Sequence, residues 1–188
     1  MLERVKRTRR GDFKITLSAD ERQALALVPE MLEEVVRSTD PGDAAFKRLF
    51  PPATMDDEEH NRAFDDMVRD DLAAQRLATI AAFKRTLSSD RLTEDELTTW
   101  LAAINDARLV LGVRLAVTEE TGPEDFEGDE ERGSLYGLYG FMTFLEEHIV
   151  RALGGFSQWD LAKELLKEEW RSEREQGRKG PEPPRSGA

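Results

Sequence analysis

The chain has 188 residues, no cysteine, 35% charged residues and a formal net charge of −12. That length suits one domain plus tails and buries a real core, since a folded region of this size removes roughly 70% of its unfolded surface from water. The missing cysteines exclude disulfides, thiol redox sensing and thiolate metal sites. The acidic balance opposes general attraction to nucleic acid or anionic membrane.

Residues 1–17 differ from the rest, with Arg4, Lys6, Arg7, Arg9, Arg10 and Lys14 set against Glu3 and Asp12. Phe13, Ile15 and Leu17 alternate with polar residues, the period of a half-buried strand. The expected element is a short β-hairpin with its loop at Arg9–Asp12. Its charge suits contact with nucleic acid or an acidic partner, or simply keeps an exposed edge soluble.

Ser18-Ala-Asp-Glu21 is a capping box, in which the serine accepts from a first-turn N–H and the glutamate reaches back. The helix it opens runs to about Arg37, and Pro29 predicts a kink or break inside it. After the Asp40-Pro-Gly-Asp43 turn comes a short helix, Ala44–Leu49, anchored by Phe46, Leu49 and Phe50. Thr54 or Asp56 is expected to cap a long third helix, about 57–87. Its stripe of Phe64, Val68, Leu72, Ile80, Phe83 and Leu87 carries Arg76 where an apolar residue belongs. A cation there needs a partner.

Thr93-x-x-Glu96 is a second capping box and opens the central helix, which is apolar nearly all round and therefore buried. Its face reads Leu97, Leu101, Ile104, Arg108, Leu111 and Leu115, with an arginine again in an apolar place. Gly112 suggests a close backbone approach. Residues 118–132 are strongly acidic and interrupted by Gly122, Pro123 and Gly128, as expected of a solvated loop; they lack the ligand spacing of an EF-hand. A fifth helix, 133–153, presents Leu135, Leu138, Met142, Leu145 and Ile149. Gly133, Gly137 and Gly140 either let it pack closely or fray its start.

The expected architecture is mainly α: a helical bundle around a central buried helix, with the N-terminal β-hairpin, spanning residues 1–155. An amphipathic C-terminal helix follows at 156–176, with Trp159 and Trp170 on its apolar side, available to pack in cis or across a homodimer. A Gly- and Pro-rich tail at 177–188 is expected to be disordered.

No phosphate-binding glycine loop, Gly-x-Ser-x-Gly or His-Glu-x-x-His motif is present. The reading is non-enzymatic, with no catalytic residues, metal or cofactor. The break at Ser88–Leu92 resembles a helix-turn-helix, but the second helix opens Thr93-Glu94-Asp95-Glu96, placing acid where phosphates would approach. Any direct DNA contact is expected on the basic hairpin, with Lys84 and Arg85 in support. Arg76, Asn105, Asp106, Arg108 and Arg114 form the other candidate set: a structural network joining the third and central helices, or a small-ligand or docking site. With no apolar run long enough for a membrane span or signal core, a cytoplasmic protein is expected.

Several segments carry a family resemblance. They are Trp100-Leu101, the run INDARLVLGVRL (Ile104–Leu115), Arg48-Leu-Phe-Pro-Pro52, Arg69-Asp-Asp-Leu72 with Arg76, and Tyr139 followed by Phe144-Leu145. Through these the chain resembles an actinobacterial family of unknown function encoded beside the Clp protease adaptor ClpS. One branch of that family is described as an oxidative-stress transcriptional regulator. The resemblance implies a regulatory protein with a sigma factor or RNA polymerase as partner, or an accessory factor of ClpS/Clp-type proteolysis. Contact is expected through Arg7, Arg9 and Arg10 and the Trp159/Trp170 helix. Without cysteine, a thiol sensor is impossible in this chain.

Overall fold

A computed structural model of the chain describes residues 3–38, 40, 42–51 and 58–154, without the side chains of 58–68. The expected cap at Thr54 or Asp56, the C-terminal helix with Trp159 and Trp170, and the tail lie outside the described residues. The fold is mainly α with one small antiparallel sheet.

The hairpin forms from β1 (Val5–Arg7) and β2 (Phe13–Ile15). It is not a free edge on both sides. A third strand, β3 (Arg91–Leu92), pairs antiparallel with β2, giving the order β1-β2-β3. The segment expected to be a plain helix break thus completes a sheet. Val5, Phe13, Ile15 and Leu92 are buried on one face and join the helical core.

The Ser18 capping box closes as expected and starts α1 (Ala19–Leu25). The break comes at Ala26–Leu27, ahead of Pro29. Proline is tolerated in the first turn of a helix, where its missing N–H would be unpaired anyway. It accordingly stands in the first turn of α2 (Val28–Val36). Asp43 caps α3 (Ala44–Leu49) by accepting from the N–H groups of Ala45 and Phe46. The long α4 (Glu58–Thr86) leads through Arg91–Leu92 into α5 (Glu94–Arg114), which the Thr93 capping box opens.

Helix α5 is the central element and packs against α2, α3, α4 and the last helix, α6 (Glu130–Leu153). Leu97, Trp100, Ala103, Ile104, Ala107, Val110 and Leu111 on it are fully buried. Trp100 meets Phe83 edge-on at 5.0 Å, and its indole N–H donates to Thr86 Oγ1 at 2.8 Å. Helix α5 ends on Ala116 at φ 56°, while Val117 N–H reaches back to Gly112 O at 2.9 Å and Ala116 N–H to Val113 O. This is a Schellman ending, with alanine where glycine is usual.

Two expectations are corrected. The acidic segment is not simply a solvated loop, because Pro123–Phe126 forms a 3₁₀ turn that buries Phe126 against the ring of Tyr136. Its last acids, Glu130 and Glu131, already lie in the first turn of α6, where the helix dipole favours them. The glycines do not mark close backbone packing. A Cβ at Gly112 would make ordinary contact with the Tyr139 ring at 3.7 Å, and at Gly137 or Gly140 it would meet nothing within 4 Å.

Candidate functional site

The five residues of the presumed polar network do not come together. Arg76 on α4 pairs with Asp106 on α5, and its other terminal nitrogen donates to Leu49 O at 2.9 Å. Its guanidinium also lies 5.3 Å from the Phe50 ring centroid. The unpaired carbonyls at a helix end carry partial negative charge. Arg76 therefore ties the C-terminus of α3 to α4 and α5. Arg108 turns the other way. It pairs with Glu146 on α6, donates to Thr143 Oγ1 at 3.0 Å and lies over Tyr139. Arg114 makes a surface pair with Glu34 of α2 at 3.3 Å, and Asn105 is exposed. Three separate ties from α5 to three neighbours replace the single network expected between α4 and α5. Helical spacing located the arginines but could not say which way each side chain would leave the helix.

A residue that sequence reasoning missed is Arg22 on α1. It donates to Ser89 O at 3.2 Å, to Leu87 O, and to Asp90 Oδ1 at 2.7 Å. These contacts shape residues 87–90 so that Asp90 O accepts from Ile15 N–H at 2.9 Å and β3 can follow. Its sequence surroundings on an amphipathic helix gave no signal of this, since its partners are far along the chain.

The basic hairpin divides into two parts. Some cations serve the chain itself: Arg4 pairs with Glu21 at 2.5 Å, and Arg7 pairs with Glu94 at 3.0 Å while covering the Phe13 ring. The others face solvent. Arg9 and Arg10 are exposed on the turn. That turn is held by the bond from Thr8 N–H to Asp12 O, with Gly11 at φ 91°. Lys6 stands opposite Lys14, and Lys14 opposite Arg91, so three cations cross the sheet on its exposed face. Like charges directly opposite each other destabilise a sheet. Only Asp12 offsets the row among the described residues, through its 2.7 Å bond with Arg91. The Thr8 hydroxyl and the Arg91 guanidinium hold the Asp12 carboxyl below its ordinary value. Arg91 was not recognised as part of the basic surface, because a strand of two residues has no readable period.

Residues 3–153 match the family described as Domain of unknown function (DUF2017). The chain belongs to the DUF2017 family. Among relatives, it is 29% identical over 132 residues to the oxidative stress regulator AosR of Mycobacterium tuberculosis and to that of Mycobacterium bovis, covering 61% of this chain and 60% of each relative. A shorter match, 37% over 62 residues, is to a Mycobacterium leprae protein, covering 33% of this chain and 28% of the relative. The chain thus spans about three-fifths of the length of the longer-matching curated relatives. No solved structure matches. The family region ends where α6 ends, so the sheet, the cationic row and the three arginine ties all lie within it.

Proposed function

We propose that this chain is a non-enzymatic, cytoplasmic regulatory protein of a stress response that binds the transcription machinery, with a sigma factor or RNA polymerase as its partner. The similarity to proteins named oxidative stress regulators supports the regulatory role. The observation that carries the mode of action is the row Lys6, Lys14 and Arg91, continued by Arg9 and Arg10, on a chain of net charge −12. A cationic sheet face retained against like-charge repulsion suits an acidic protein surface, and complementary charge raises association rate and fixes orientation. With no cysteine in the chain, a redox signal cannot be read here by a thiol.

The test is capture from native lysate with the tagged full chain, alongside the double variant Lys6→Glu/Lys14→Glu. Both residues are exposed, so the fold should survive. Polymerase or sigma subunits should co-purify with the wild type and be lost with the variant. Recovery of neither, or recovery that the charge reversal leaves unchanged, refutes the reading. Recovery of ClpS or its unfoldase in their place would move the function to regulated proteolysis. If the row instead binds DNA, affinity should fall with salt at a log–log slope near −0.9 per phosphate contact, and Arg9→Glu/Arg10→Glu should flatten it.

A further inference from the structure

Between α1 and the first half of α6 lies an open groove of about 760 Å³. Its apolar lining comes from Ala24, Leu27, Leu135, Leu138 and Phe141. Leu135, Leu138 and Phe141 recur every third residue, a stripe roughly 9 Å long at helical rise. Leu27, at the break between α1 and α2, is 58% exposed, the most exposed large apolar side chain among the described residues. Single exposed leucines are ordinary, but this one is continuous with four other apolar residues in a concave surface.

Gly137 lines the same groove, and a Cβ there would meet nothing within 4 Å. Glycine inside a helix costs about 1 kcal/mol relative to alanine. No contact among the described residues requires it, and the space it leaves belongs to the groove. The rim carries Asp20, Glu21 and Glu131. Glu21 is engaged by Arg4 and by the Ser18 cap, whereas Asp20 and Glu131 form no ion pair among the described residues.

We propose that this groove is the docking site for an amphipathic helix of a protein partner that carries Lys or Arg on the flanks of its apolar face. The apolar lining takes side chains spaced three and four residues apart, the pattern of helix-in-groove recognition. The carboxylate rim selects the charge of the flanks. A second copy of this chain would bring a rim of the same sign, and its net charge of −12 opposes that pairing. The inference shares with the functional reading only the need for a protein partner. Its test uses neither polymerase nor sigma factor, so either can fail alone.

The probe is a fluorescein-labelled peptide about four helical turns long, with leucines at i, i+3, i+4 and i+7 and lysines on the flanks, titrated with the full chain by fluorescence anisotropy. A matched peptide with glutamate in place of lysine is the control. The lysine peptide should saturate and the glutamate peptide should not. Gly137→Phe, which fills the groove, should weaken binding by about tenfold or more, as loss of a central pocket does. Glu131→Lys should weaken it in a way that fades at high salt. Gly137→Ala should fold at least as well as the wild type and keep binding, which separates occlusion from unfolding. Equal binding of both peptides, or binding that Gly137→Phe leaves intact, overturns the proposal. So does self-association of the wild type that Gly137→Phe abolishes, which would give the groove to a second copy.

Discussion

Replacing Arg76 by methionine keeps most of the apolar length of the side chain and removes its guanidinium. Three contacts go with it: the ion pair to Asp106, the bond to the Leu49 carbonyl, and the approach to the Phe50 ring. The Asp106 side chain is only 14% exposed and that of Arg76 26%. Breaking a buried pair on one side costs about 3–5 kcal/mol, because the remaining charge is stranded. The residual exposure lets water reach both groups and lowers this to roughly 2–3 kcal/mol. For a chain of this length that is a drop in Tm of about 4–12 °C. Urea unfolding followed by circular dichroism measures it, with Asp106→Asn and the double variant completing a cycle. Since the double variant strands no charge, it should be more stable than the sum of the single losses predicts, with a coupling of roughly 1–2 kcal/mol. A loss below about 0.5 kcal/mol for Arg76→Met, or strict additivity in the cycle, would show that the pair does not tie α4 to α5.

Thr86→Val is nearly isosteric and leaves the buried Trp100 indole N–H without its acceptor, so urea unfolding should show a loss of about 1–3 kcal/mol; no loss would mean another group replaces the hydroxyl. Ala116→Gly relieves a left-handed backbone conformation and should raise stability by about 0.5–1 kcal/mol in the same assay, the strain removed exceeding the entropy glycine adds to the unfolded chain. A destabilised variant would refute the assignment of strain to that residue. The Asp12 carboxyl, held low first by Thr8 and then by Arg91, should titrate below 3.8 in an NMR pH series. Its contribution to stability is complete above the unfolded value and is lost as pH falls through the lower folded value. Thr8→Val should move the titration back up; an unmoved midpoint would assign the effect to Arg91 alone.

The helix starts were the most legible part of the chain. Ser18 and Thr93 each announce a helix with a side chain that accepts from the first turn, and each forms that bond; Asp43, legible only as the end of a turn, caps α3 in the same way. These signals are local, within four consecutive residues, and need no tertiary partner. The third strand was not legible, because Arg91 and Leu92 acquire strand character only by pairing with β2 from the far end of the fold. Pro29 announced an interruption but not its position, since proline ends one helix most easily by standing in the first turn of the next. Polar residues in the central helix were visible as departures from the apolar pattern, and the tie between Asp106 and Arg76 on α4 was within the expected network, yet the partners on α2 and α6 were not visible. Phe126 was hidden among acids whose composition argued for solvent. Of the docking surfaces, the hairpin charges could be counted from the sequence. The groove could not, because it exists only where α1 meets α6.

The cationic row also has a history within each molecule. Lys6 and Lys14 come together in a local hairpin, whose elements form on microsecond timescales. Arg91 joins them only after the chain has closed a loop through α1, α2, α3 and α4, and contacts of such long sequence separation form late. A chain still emerging during synthesis, or one whose helices have come apart, does not hold the three charges in one row, because Arg91 lacks its place beside β2 and the hairpin lacks the core it packs on. A partner that requires all three therefore engages finished molecules and ignores unfinished ones.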